Sequence, residues 1–272
     1  MRVAIEPSLS PGRPRVRWWR ELLYVLAFYG VYTLVRNQFG SAAVGPERAF
    51  DHALDIIGAE KALGLFHEAT IQGWFISWHW FVGFWNVYYG TAHFIVTATA
   101  LIWCFRRRPE AYRLWRNTLA IATSLALIGF STFPLMPPRL LNSPLAFGGQ
   151  RFAGATNYGF VDTLQKIGGL WSFDSGTMQK LSNQYAAMPS LHTTWALWVT
   201  LVMWPGMRTR LSRTLVVLYP IATLFCVIIT GNHYWIDGVG GAATLGAGYV
   251  VARSLKARRT AMVPPPDLQK IE

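Results

Sequence analysis

The residues best equipped for chemistry are two histidines, an aspartate and an arginine, each falling where an apolar stretch begins or ends. His192 lies in "AAMPSLHTTWALW", just after Pro189, and proline suits the first turn of a helix. His233 and Asp237 lie in "TGNHYWIDGVGG". They are four residues apart, so a helix starting there presents both on one face. A carboxylate beside an imidazole fixes its tautomer and stabilises the imidazolium. An aspartate at the centre of a membrane helix costs about 2.5–3.5 kcal/mol on insertion scales, so one found there usually has a partner and a function. Arg139, in "FPLMPPRLL", offers a fixed charge and a bidentate geometry suited to phosphate.

Together these groups suggest phosphoryl chemistry. One histidine attacks phosphorus, the other protonates the leaving oxygen, and Asp237 orients the attacking ring. Arg139 stabilises the equatorial oxygens. Each has a plainer reading. His192 could be a helix-end histidine bonded to backbone, His233 and Asp237 a structural pair, and Arg139 an interfacial snorkelling residue. A three-ligand zinc site is the other sharp reading, but these motifs hold no Cys, Glu or further His, and no cofactor is implied. Asn86, Tyr89 and His93 are spaced to share a helix face. They either glue helices together or line a substrate cavity, and a site-facing role is the expectation. With Ser190 and Asn232 they complete the substrate-binding candidates.

The elements that must position these groups are apolar runs. The chain is 52% hydrophobic and 14% charged, against about 25% charged residues in a soluble domain. Six runs stand out: Trp18–Val35, Trp80–Phe105, Leu114–Phe133, Leu191–Trp204, Leu211–Thr230 and Trp235–Ala252. Most approach the roughly 20 residues that a spanning helix needs; the fourth is short unless it starts near Tyr185. The expectation is an all-α, polytopic membrane protein with six transmembrane helices.

The net charge of +12 could suggest a nucleic-acid partner, but the placement of the charges argues otherwise. With both termini cytoplasmic, most of the Lys and Arg fall on one side: Arg2 to Arg20, Arg106 to Arg116, Arg208 to Arg213, and Arg253 to Lys270. That is the pattern of cytoplasmic loops, with some attraction to anionic headgroups. All four chemical residues then lie on the extracytoplasmic face. The first run, with its basic leader and the small residues Ser41 to Ala43, could pass for a signal peptide, but removing it would invert every basic loop. Cys104 and Cys226 have no metal-type spacing, and no structural disulfide is expected.

Residues 1–17 read as a disordered basic cytoplasmic tail and 255–272 as a second cytoplasmic tail, disordered in its VPPPDLQKIE end, flanking a catalytic membrane domain over 18–254. Glu47 to His79 reads as one or two amphipathic helices on the outer membrane surface. They form either a simple cover or a lid. Pro134 to Gln184 is a long extracytoplasmic loop. Phe147, Phe152, Tyr158, Phe160, Trp171 and Phe173 in it predict packing over the site. No internal repeat is visible, which weighs against a transporter built from duplicated halves; a non-catalytic membrane scaffold is the remaining alternative of another class.

"PSLH" followed about forty residues on by "HYWID" resembles the second and third motifs of the type 2 phosphatidic acid phosphatase superfamily, over roughly residues 115–252. The family's second motif is PSGH, where this chain has Leu191 for the glycine. The third is SRxxxxxHxxxD, where Val227 stands at the arginine. The first, KxxxxxxRP, is missing in that form. These departures, with the Pro-Pro segment before Arg139, resemble the inositol phosphorylceramide synthase branch. The resemblance implies His233 as nucleophile, Asp237 as its orienting partner and His192 as proton donor. It implies a phospholipid or lipid phosphate substrate, with a lipid alcohol as acceptor in a transferase and water in a phosphatase.

Overall fold

The computed structural model describes residues 17–38, 45–168 and 184–261. Most of both tails, Ser41 to Ala43, Trp171 and Phe173 lie outside the described residues. Within them the chain is helical, with a single isolated β-bridge between Leu135 and Ala186. All six apolar runs are helices: α1 (Trp18–Gln38), α4 (His79–Arg107), α5 (Pro109–Thr132), α8 (Leu191–Met203), α9 (Arg210–Ile229) and α10 (Trp235–Ala261). Four shorter helices lie among the described residues: α2 (Pro46–Ala62), α3 (Glu68–Phe75), α6 (Gln150–Ala153) and α7 (Thr163–Lys166).

Only α4 and α9 carry an apolar stretch long enough to cross a bilayer by themselves, among the described residues. The others fall short for visible reasons. α1 opens with Arg20 and Glu21, α5 with Glu110, Arg113 and Arg116, and α10 holds Asp237 and ends in basic residues. α8 has 13 residues, followed by a 3-10 turn at Trp204–Gly206. α10 continues past Ala252, where its apolar run ends, as far as Ala261. Arg, Lys and Ala are good helix formers, so the helix outlasts its apolar run.

The short α8 lies at the centre, against α4, α5, α9 and α10, while α10 runs along α5 and α1 packs against α5. Small residues permit the close approaches, as in many membrane helix pairs. A Cβ added to Gly248 of α10 would sit 2.9 Å from the Ala122 backbone nitrogen of α5. Pro220 inside α9 cannot donate to the Val216 carbonyl. Thr200 of α8 donates to that carbonyl at 2.8 Å instead.

α2 and α3 dock on the segment that follows α5. Ala49, Phe50, Ala53, Ile56 and Ile57 pack with Leu135, Met136, Leu140 and Leu141. The Met136 N–H donates to the Ala49 carbonyl at 2.9 Å. Phe147, Phe152, Tyr158 and Phe160 of the long connection join the same cluster. Through these four aromatics the described part of the connection packs against α2 and the segment after α5.

Candidate active site

The starts of α8 and α10 are fastened together through backbone, and this brings His192 near His233. Ser190 caps α8 by accepting from the Thr193 N–H, as an N-cap serine does. Its own N–H donates to the Asp237 carbonyl at 3.0 Å. Thr194 Oγ1 donates to the Gly241 carbonyl at 3.0 Å. A Cβ on Gly241 would lie 2.5 Å from the Ser190 oxygen, so only glycine permits this approach.

His233 precedes α10 in a turn whose pivot is Gly231, at φ +68°, a conformation that favours glycine. The Gly231 carbonyl accepts from the Arg139 N–H at 2.8 Å. The N–H groups of Asn232 and His233 both reach the Val227 carbonyl. Val227 and Leu191, the two departures from the family pattern, both have packing roles. Val227 is buried, and Leu191 packs with Ala126, Leu127 and Phe130 of α5.

Asp237 Oδ2 lies 3.1 Å from His233 Nδ1 and also accepts the Tyr234 N–H at 3.0 Å. Both residues are buried. With the carboxylate accepting, Nδ1 carries the hydrogen and Nε2 keeps its lone pair. The His192 ring stands 5.6 Å from that of His233, centroid to centroid, at 64°. His192 is stacked on Tyr89 at 4.3 Å and meets His93 edge-on at 4.3 Å. His192 Nε2 and His93 Nδ1 converge on one acceptor, the Tyr89 carbonyl, at 3.3 and 3.0 Å. A carbonyl only accepts, so both nitrogens carry hydrogens. Three imidazoles and one carboxylate therefore run in a row, His93, His192, His233, Asp237.

The other predicted residues form a second group around the long connection. Arg139 is buried and gives Nε to Asn232 Oδ1 at 3.0 Å, Nη1 to Asp162 Oδ2 at 2.8 Å and Nη2 to Gln184 Oε1 at 2.9 Å. Asp162 also caps α7. Asn86 donates to the carbonyls of Thr163 and Gly168 at 3.0 and 2.7 Å. Thr163 Oγ1 bridges Asn86 Oδ1 and the Thr230 carbonyl at 2.9 and 3.2 Å. Asn86 thus binds the connection to α4, about two turns from His93 of the imidazole row.

Sequence reasoning missed Glu60, Glu68 and Gln72, all buried on α2 and α3. Gln72 exchanges two bonds with the Val161 backbone, at 3.0 and 2.8 Å. Glu60 Oε1 accepts the Ile236 N–H at 2.9 Å and Glu68 Oε1 the Trp235 N–H at 3.3 Å, both at the start of α10. A signal was available: Glu60 continues the apolar stripe of Ala49, Ala53, Ile56 and Ile57.

A family model described as the PAP2 superfamily matches residues 54–251, a span that contains both groups. No curated protein and no solved structure matches the chain.

Proposed function

The chain belongs to the PAP2 superfamily, and from that premise we propose that it is a membrane-embedded enzyme that transfers a phospho-headgroup between lipids, with His233 as the nucleophile. Membership supports the coarser part, phosphatase or phosphotransferase chemistry on lipid-like phosphoesters at a membrane. The observation that carries the finer part is the His233–Asp237 pair with the His192 ring beside it.

In this reading His233 Nε2 forms a bond to phosphorus, the bond from phosphorus to the leaving oxygen breaks, and His192 supplies that oxygen's proton. Asp237 stabilises the ring through Nδ1–H as its charge rises. An acceptor hydroxyl then attacks the phosphohistidine, giving its proton to His192 and freeing His233. His192 Nε2–H rests on the Tyr89 carbonyl at a long 3.3 Å, a bond a leaving oxygen can replace. Arg139 contributes as a phosphate clamp only by trading a bond to Asp162 or Gln184 for phosphate oxygens. Otherwise it sets the turn that carries His233, through Asn232 and Gly231. Asn86 acts by anchoring the connection.

The lost Lys and Arg of the phosphatase motifs favour transfer to a lipid alcohol over hydrolysis; the inositol phosphorylceramide synthase branch is the group in which the chain would sit. In this reading the six apolar runs span the membrane, and the placement of the Lys and Arg puts both termini in the cytoplasm and the imidazole row at the extracytoplasmic face. The test is to incubate the purified protein with a phospholipid radiolabelled at phosphorus. An acid-labile phosphoenzyme is expected, absent in His233→Ala. Equal lipid turnover by wild type and variant would overturn the mechanism. Adding an acceptor alcohol, with phosphatidylinositol, phosphatidic acid or a polyprenyl phosphate as donor, separates transfer from hydrolysis.

A further inference from the structure

Two carboxyl groups from different helices meet at the start of α10. Glu60 closes α2 and Glu68 opens α3, and both are fully buried. Each spends one oxygen on a backbone N–H, Glu60 on Ile236 and Glu68 on Trp235. These are consecutive N–H groups of the first turn of α10, which that helix cannot satisfy itself. The remaining oxygens, Glu60 Oε2 and Glu68 Oε2, are buried with no hydrogen-bond partner, and the two acids hang from adjacent N–H groups of one helical turn. Carboxylates only accept, so a bond between two of them requires a proton on one. Two buried like charges side by side are otherwise strongly unfavourable.

We propose that Glu60 and Glu68 are positioning residues that share one proton, and that this singly protonated pair holds the start of α10, with His233 and Asp237, in working register. The pair touches no reacting atom. It acts because Ile236 and Trp235 lie between His233 and Asp237 in the chain. Burial first, and then the bond to Glu68 and its charge, push the Glu60 carboxyl up to about 8, against the smaller opposing effect of the Ile236 N–H. Among the described residues, the charged group acting directly on Glu60 is Glu68. Asp237 and Tyr234 come from the start of α10, and Asp237 is engaged with His233. The Lys61 ammonium lies over the Phe66 ring, and on the long connection Arg139 is bonded to Asp162 and Arg151 lies over Phe152.

The pH dependence follows with a definite sign. The carboxyl of Glu60 is raised on folding, so the stability it contributes is full below its ordinary value of 4.5 and falls as pH climbs to about 8. The interval from about pH 6.5 to about pH 8 lies above ordinary histidine titration and reads this loss most cleanly. Above it the O–H···O bond is gone, its proton released to solvent, and the two anions push the start of α10 away.

The experiment uses the full chain purified in detergent and measures melting temperature and lipid turnover against pH. Wild type is expected to lose about tenfold in turnover from about pH 7 to about pH 9, with a falling melting temperature. In Glu60→Gln, an amide accepts from Ile236 and donates to Glu68 without titrating. Whatever its turnover at about pH 7, its ratio across the same interval should stay within about twofold, and its melting temperature should hold level. An unchanged alkaline loss in both readouts would overturn the proposal. Glu68→Gln repeats the test from the other partner. Infrared difference spectra of wild type give a check that needs no variant. The carbonyl stretch of a neutral carboxylic acid should be present near neutral pH and vanish above about pH 8, and its absence at neutral pH would equally overturn the pairing. The turnover arm rests on the phosphoester reading. The melting and infrared arms do not, so the failure of one is distinguishable from the failure of the other.

Discussion

The two ends of the helix bundle are held together by different means. At the end that carries the imidazole row, buried Arg139, Asn86, Thr163, Gln72, Glu60 and Glu68 tie separate segments to one another through directed bonds. At the other end, Ala100, Cys104, Tyr112, Trp198, Val199, Val202 and Leu245 form an apolar cluster. Its directed bonds are few: Trp198 Nε1 donates to the Trp115 carbonyl at 2.9 Å, and Arg116 pairs with Glu21 of α1. Apolar packing resists separation but tolerates small slides, whereas a buried polar network has one satisfied geometry. Directed bonds are concentrated where atomic position matters, at the end that holds His192, His233 and Asp237.

Three substitutions test that contrast, in order of expected effect. Asp237→Asn keeps the shape and removes the charge that steadies the imidazole. Turnover should fall by about 10⁴-fold, while the melting temperature moves far less. Comparable losses in turnover and stability would erase the distinction between reacting group and scaffold. Arg139→Ala strands Asp162 without its counter-charge in a buried setting. Unfolding in detergent should show a loss of about 3–5 kcal/mol, and adding Asp162→Asn should recover part of it. Additive losses from the two changes would mean that the pair is not coupled. Gly248→Val, at the α5 contact, forces a side chain onto the Ala122 backbone and should cost about 1–3 kcal/mol. It should leave the pH dependence of turnover and the KM unaltered. A shifted pH profile in that variant would show that the two ends communicate.

The six helices and the His233–Asp237 pair were legible because both follow from short-range pattern, while His192, 41 residues before His233, was joined to them by topology and by the resemblance. Apolar runs mark helices, and a spacing of four puts His233 and Asp237 on one face. What was not legible depends on distance along the chain. Nothing near Arg139 announces Asp162 or Gln184, which arrive 23 and 45 residues later. Asn86 shares the helical spacing of Tyr89 and His93, yet it sits about one turn closer to the start of α4 and meets the connection instead. Glu60 and Glu68 resembled the polar face of an amphipathic segment. Their burial becomes intelligible only once α10 brings two open N–H groups to meet them. α10 outlasts its apolar run because hydropathy stops where helix propensity does not.

The Thr200 hydroxyl that answers for Pro220 bears on how the protein is assembled. In hydrocarbon, an unanswered carbonyl costs several kcal/mol. The Thr200 hydroxyl of α8 therefore answers the α9 carbonyl that Pro220 leaves without its helical donor, and pairing these consecutive helices in another register would leave that carbonyl open.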